Sequence, residues 1–436
     1  MKPTIKHFVA IALPYTIILI SIFSILPYYS DRIPVICYIT STTVWWAISY
    51  FIIILYFFSK TYYFELLNEK NFLFIKIYLI WISICIVRGM FVAENYWDWK
   101  GLANNTMALL LPIAAYSATN KVIVQTILAF YVKYGLPLFI VLMLLIRTDA
   151  YGFFLMPVSF LLLFLTALSI RQRVVLLFFT AIILFSDLGA RSNVIKFALP
   201  LIVLTIYFLR KYLSTKDLEG VRLIFIIAPF VFLTLGITGI FNIFNMSDYL
   251  GEFKTKGLSN EGERIELDMS TDTRSFIYEE VIQSAVNNNY SFFGRTPARG
   301  NDSEVFGPTA FEYTGRDERL ENEVGILNVF TWTGIVGVFL YLLIFYRATY
   351  LAINRSENIY AKMLGVYVAF RWLYSWVEDI NSFSVNYFML WIMIGLCFSY
   401  SFRSMTNYEV TLWVRGIFDN RYLDFEKYRK MEEDGK

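Results

Sequence analysis

The sequence predicts an all-α, polytopic membrane bundle of about twelve transmembrane helices with one large loop on the outer face. Three observations lead there. Of 436 residues, 57% are hydrophobic and only 17% are charged, against roughly 25% charged in an average soluble domain. The apolar residues come in near-charge-free runs long enough for a helix to cross the hydrocarbon core, which takes about 20 residues. Finally, the Lys and Arg residues of the short connections fall mostly on one side.

The runs lie at about residues 8–29, 34–58, 71–93, 102–118, 122–146, 151–170, 174–190, 192–213, 222–245, 323–346, 359–377 and 383–402. The first is too long for a cleaved signal peptide and lacks a small-residue cleavage site, so it counts as a helix. Amides in lipid must bond within their own segment, so each run reads as helix despite its Ile, Val and Phe. Pro14, Pro112, Pro137, Pro157 and Pro200 are expected to kink some of them. With the N-terminus in the cytoplasm, the inner connections hold Lys2, Lys6, Lys60, Lys70, Lys121, Arg171, Arg173, Arg210, Lys211, Lys216, Arg222, Arg347, Arg355 and Lys362. The short outer ones hold only Arg32, Lys100, Arg147 and Arg191. The chain thus divides into nine spans over residues 1–245, an outer loop at 246–322, three spans over 323–402 and a cytoplasmic tail at 403–436.

Several chemistries are excluded at once. Cys37, Cys85 and Cys397 all sit in apolar runs, so the outer loop has no disulfide. The single histidine, His7, rules out a His-based metal site or a Ser-His-Asp triad. No Gly-rich phosphate loop and no internal repeat is seen, which argues against a nucleotide-driven pump. Nothing points to nucleic acid.

The outer loop carries fifteen acidic and eight basic residues, so it is solvated. Within it, Ser270-Thr271-Asp272-Thr273 offers an N-cap, and Ile277, Val281 and Ala285 recur at helical spacing before Asn287-Asn288-Asn289. An amphipathic helix over about 274–286 is expected, lying across the outer mouth of the bundle with Arg274 at its start. Gly294-Arg295-Thr296-Pro297-Ala298-Arg299-Gly300 follows, which cannot be regular structure.

Four cations do not fit the bilayer. Arg88, Lys196 and Arg371 lie toward the outer ends of spans, and Arg191 closes the outer turn Asp187-Leu188-Gly189-Ala190-Arg191. A cation at a helix centre costs roughly 2.5–3.5 kcal/mol on insertion scales, less near the interface. One reading is that Arg191 pairs with Asp187 and Arg371 with Glu378, holding helices together. The other is that the four form an anion site at the outer leaflet, with a lipid phosphate or pyrophosphate as the anion, since guanidinium matches its oxygens bidentately. Tyr96, Trp97 and Trp99 in one outer turn, and Trp372, Tyr374 and Trp376 near the outer end of the eleventh span, could stack on sugars or form the interfacial aromatic belt.

Thr273-Arg274-Ser275-Phe276-Ile277-Tyr278, Phe293-Gly294-Arg295, and Asn322-Glu323-Val324-Gly325-Ile326-Leu327 running into Trp332-Thr333-Gly334-Ile335-Val336-Gly337 resemble the outer loop and following helix of bacterial O-antigen polymerases. The Gly189-Ala190-Arg191 turn is similar to an arginine-bearing turn of that family, which shares a superfamily with the O-antigen ligases. The motif-level resemblance covers roughly residues 185–345. It implies a type C glycosyltransferase-like bundle in the bacterial inner membrane, with both termini cytoplasmic and the large loop periplasmic. Its donor and acceptor would be undecaprenyl-pyrophosphate-linked glycans drawn from the membrane, with a chain-length regulator protein as a partner. The reaction would be inverting, with no cofactor and no metal. Arg191 and Arg274 would bind the donor pyrophosphate, supported by Arg88, Arg295, Arg371 and Lys196, with Trp97 and Asn322 toward the glycan. The ligases commonly place a histidine eleven residues before the first glycine of the Gly-x-x-Gly helix. Here that position is Glu323, either a general base for the acceptor hydroxyl or a salt-bridge partner of a loop arginine. The missing histidine weakens the ligase reading. A lipid-linked oligosaccharide flippase remains an alternative, although it seldom has so large an outer loop and should show similarity between its halves.

Overall fold

The computed structural model describes residues 2–28, 42–186, 191–242, 244, 254–258, 264–268 and 274–422. Its main helices are α1 (Lys2–Phe23), α2 (Thr42–Tyr63), α3 (Leu73–Val92), α4 (Tyr96–Leu110), α5 (Lys121–Phe130), α6 (Leu136–Leu142) and α7 (Ile170–Ser186). They continue with α8 (Arg191–Leu209), α9 (Thr215–Ile237), α10 (Ser275–Asn287), α11 (Gly325–Asn354), α12 (Ile359–Tyr374), α13 (Val385–Phe398) and α14 (Asn407–Phe418). Among the described residues, seven segments are long and apolar enough to cross a membrane: Ile5–Tyr28, Thr43–Tyr63, Leu66–Val92, Lys121–Leu142, Arg191–Leu209, Thr215–Ile237 and Gly325–Asn354.

The other five apolar runs are short or broken. The run at 102–118 is α4, a 3-10 turn at Leu111–Ile113 and the short helix Ala114–Ala118, because Pro112 has no amide to continue the ladder. The run at 151–170 is two short helices, Tyr151–Phe154 and Met156–Leu162, then a 3-10 turn. Helices α7, α12 and α13 have 17, 16 and 14 residues. All of α13 is buried. A helix that is apolar on every face is stable when protein surrounds it, and α13 packs against α11, α12, Met156–Leu162 and Ala114–Ala118. Gly395 makes the last contact close enough that any Cβ there would meet the Ala115 carbonyl at 2.6 Å. Pro14 and Pro200 stay inside continuous helices, whereas Pro137 follows a π-turn at Tyr131–Gly135 and Pro157 opens its helix.

The described parts of the 246–322 loop are folded. Helix α10 forms where its periodicity predicts, with Ile277, Val281 and Ala285 buried. Its expected N-cap at Ser270–Thr273 lies outside the described residues, as do Cys37 and Asp187. The described residues are mostly helical, as an all-α bundle requires, with two small additions: a hairpin of β1 (Lys254–Leu258) and β2 (Arg264–Asp268), and a two-residue ladder, β3 (Asn301–Asp302) with β4 (Glu318–Arg319).

A break in α11 locks the loop to the bundle. Gly334 has φ 68° and ψ −173°, a backbone shape that glycine alone adopts readily. Segment 291–295 fits into the notch: Ile335 donates to the Ser291 carbonyl (2.9 Å) and Arg295 donates to the Thr331 carbonyl (2.7 Å). Gly294, with φ 72°, faces Gly334 so closely that its Cβ would lie 2.6 Å from the Gly334 amide.

Candidate functional site

The first amides of a helix have no partner within it. At α11 they are taken by the turn that follows α12: Gly325 donates to the Glu378 carbonyl (3.1 Å) and Ile326 to that of Ser375 (2.9 Å). The Asn381 side chain returns a bond to the Gly325 carbonyl (2.8 Å). This stitch brings the charged approach to α11, residues 319–323, beside Glu378 and Asp379.

Arg274 reaches the same place from the start of α10. Its guanidinium pairs with the Glu323 carboxylate and donates to the Val377 carbonyl (3.3 Å). Arg319 approaches the other Glu323 oxygen (3.4 Å) and donates to the Glu321 carbonyl (3.1 Å). From α8, Ser192 bonds to the Tyr374 hydroxyl (3.1 Å), and buried Lys196 sits 3.8 Å from Glu378. Ser192 follows Arg191 directly, and Tyr374 precedes Val377 by three residues. Helix α8 and the Arg274 guanidinium therefore meet the same turn, through Lys196–Glu378 and Arg274–Val377. Arg371 donates to Asn386 (2.9 Å), not to Glu378, so the expected Arg371–Glu378 pair is replaced by Lys196–Glu378.

Glu321 keeps an exposed surface and Asp379 is half-buried, each with much of the protein gathered around it. Burial pushes both carboxyls above the ordinary carboxylate range, and each has an acidic neighbour that adds to the rise, Asp379 for Glu321 and Glu378 for Asp379. Arg319 opposes the shift at Glu321; the Asn381 amide and Lys196 oppose it at Asp379. Such a carboxyl can hold or accept a proton near neutral pH. Val377, whose carbonyl Arg274 bonds, and Ser275, its chain neighbour, help line an apolar cleft of about 380 Å³, walled by Phe232, Ile237, Tyr278, Ile282 and Trp376.

Other expected site residues have structural partners. Arg88 donates to the carbonyls of Phe293 (2.7 Å) and Gly294 (3.1 Å), fastening the segment that fills the α11 notch. Arg295 is held by Asp302 (2.7 Å), Glu318 (3.0 Å) and the Gly300 carbonyl (2.9 Å). Buried Asn322 bonds to Asn301 and Asn328. Trp97 packs on Tyr96 and under Lys100, in a turn that Arg316 clamps to the loop through Glu94 and Asp98. These four support the loop, and the turn after α12 collects Arg274, Glu323, Lys196 and the start of α8. Sequence reasoning missed Arg319, Glu321 and Asp379. Their signal was a charge at every second position just before an apolar run, and an acidic pair in the short connection before the last one.

Among the described residues, no group of three or more His, Cys, Asp or Glu side chains is placed to hold a metal ion. Compared with protein families, curated proteins and solved structures, the chain matches none.

Proposed function

We propose that this membrane protein is a glycosyltransferase that polymerises undecaprenyl-pyrophosphate-linked repeat units of a surface polysaccharide, such as O-antigen, at the periplasmic face of a bacterial inner membrane. In this reading the chain crosses the bilayer twelve times as a type C glycosyltransferase-like bundle, with both termini in the cytoplasm and a chain-length regulator as partner. The observation that carries it is Arg274. It is a guanidinium paired with a carboxylate and bonded to the carbonyl of Val377, a residue that lines an apolar cleft, in a turn that Lys196 of α8 also meets. A lipid pyrophosphate has the same pattern, an apolar tail joined to a dianionic head.

Arg191 and Arg274 bind the donor diphosphate, and Lys196 adds charge behind them. Glu323 takes the proton of the acceptor sugar hydroxyl as that oxygen bonds to the anomeric carbon of the growing chain. The bond from that carbon to the pyrophosphate breaks, the lipid pyrophosphate leaves with the electron pair, and the anomeric configuration inverts. The arginines stabilise the charge that builds on the leaving group. A second reading has one specific support: Glu323 already has a guanidinium at each oxygen, whereas the Asp379 carboxyl is raised by burial and suits a proton acceptor better.

Purified protein in liposomes, given lipid-linked repeat units, tests the proposal. Polymer supports it, and movement of repeats across the bilayer without bond formation indicates a flippase instead. Glu323→Gln should leave single repeats and no ladder. A normal ladder from Glu323→Gln, with loss in Asp379→Asn, moves the base to Asp379; normal ladders from both overturn the mechanism.

A further inference from the structure

In the charged loop at 246–322, the stretch from Val281 to Gly294 carries no charge at all. Its apolar side chains are not all covered. Phe292 is 70% exposed and Phe293 59%, and Ile282 and Val286 on α10 are exposed as well. A single exposed apolar side chain is ordinary, but adjacent ones of this size mark a surface that something else covers.

The two helices that hold this segment give its depth. Ile335 of α11 donates to the Ser291 carbonyl, and Arg88 of α3 donates to those of Phe293 and Gly294. The opposite ends of these helices meet at a polar level, where Arg347 of α11 donates to Asn71, just before α3 (2.8 Å). At 1.5 Å per residue, Ile335 stands about 18 Å along α11 from Arg347, and Arg88 about 22 Å along α3 from Leu73. The hydrocarbon core is about 30 Å thick, so both levels fall within it. Helices α3 and α11 belong to segments long and apolar enough to cross a membrane, and their outward side chains agree. Helix α3 exposes Ile80, Ile84 and Val87, and beyond Arg88 it exposes Phe91 by 85%; α11 exposes Ile335 and Phe339. This lipid-facing surface continues past the level at which Phe293 is held.

The backbone fits the same setting. Non-helical chain at membrane depth persists only where its polar groups are bonded within the protein. The carbonyls of Tyr290, Ser291 and Phe292 accept from the amides of Gly294 (2.8 Å), Ile335 (2.9 Å) and Val336 (3.4 Å). Those of Phe293 and Gly294 accept from Arg88. We propose that Phe292 and Phe293 are a membrane anchor, their rings set among the acyl chains of the leaflet on the loop's side. Helix α10, whose exposed residues also include Glu279 and Gln283, lies at the headgroup level. The partner of this surface is the bilayer itself, and the anchor does not depend on the transferase reading.

The test uses full-length protein with a benzophenone-bearing phenylalanine analogue in place of Phe292 or of Phe293. Each variant is reconstituted into vesicles of phosphatidylethanolamine and phosphatidylglycerol and irradiated. The same analogue in place of Glu312, an exposed residue of the helix Gly307–Thr314, is the control. Mass spectrometry is expected to find phospholipid adducts at 292 and 293 several-fold more abundant than at 312. If the analogue at 292 or 293 prevents folding, Val286, exposed and clear of the α11 notch, takes its place and should give the same excess over 312. Lipid adducts no more abundant than at 312 overturn the anchor. Adducts to a second copy of the chain in place of lipid also overturn it, and make this face a contact between copies.

Discussion

Replacing Gly334 by alanine perturbs the joint between the 246–322 loop and the bundle. At φ 68° and ψ −173°, alanine is strained by about 1–3 kcal/mol whatever surrounds it. Its Cβ would also strike the Phe292 carbonyl, a backbone atom that moves only if the whole 291–295 segment withdraws. Withdrawal gives up the Ile335–Ser291 and Arg295–Thr331 bonds, each contributing about 1 kcal/mol. Together these come to roughly 3–5 kcal/mol. Equilibrium unfolding in mixed micelles would measure the loss, and trypsin cleavage at Arg295 and Arg299 would report detachment of the loop. Gly236→Ala is the matched control: that glycine lies near the end of α9 with nothing within 4 Å of a new Cβ, so the change should be neutral or stabilising by up to about 1 kcal/mol. If Gly334→Ala unfolds with the control and its loop stays protected, the notch is not what fastens the loop.

Arg316→Ala leaves the buried Asp98 carboxylate without its guanidinium and should cost about 2–3 kcal/mol, with Asp98→Asn in the same chain recovering part of it; a purely additive double mutant would sink this. At Asp302, burial works against the charged form, but the bond and charge of Arg295 outweigh it and hold the carboxyl below its ordinary value. Its contribution is therefore present above about pH 4 and lost as pH falls through the folded value, so protease protection of the loop should fall in acid and Asp302→Asn should flatten that limb. Glu321 has the opposite sign. Its raised carboxyl contributes stability fully below about pH 4 and loses it as pH rises through the folded value, so Glu321→Gln should gain on the unchanged protein between pH 4 and 8; parallel pH profiles would refute a raised carboxyl at Glu321.

Hydropathy made the membrane class legible, but it does not separate the seven long apolar helices among the described residues from the shorter apolar ones. It records that a run is apolar, not whether lipid or protein lies against it. Val385–Phe398 scores like a span, but each of its residues is covered by neighbouring helices. Position in the chain was enough to single out Arg274 and Glu323, because each stands where a charged loop turns apolar. Position could not separate Arg274 from Arg88 or Arg295, since that depends on which acceptors the folded loop offers: two carbonyls for Arg88, two carboxylates for Arg295. The β1–β2 hairpin was hidden for another reason. Its apolar alternation is short, Ile265 and Leu267 in β2, within a stretch whose charge reads simply as solvated.

The placement of α13 has a consequence for how the protein is made. Residues 385–398 leave the ribosome after α1 to α12, yet they pack between segments made much earlier. Those segments must wait in the membrane with an unfilled centre, and Ala115 and Ala118 find Gly395 only after nearly three hundred further residues have been added. Final closure of the bundle is therefore a post-insertion event, and a nascent chain stalled before Val385 is a hollow assembly exposed to quality-control proteases.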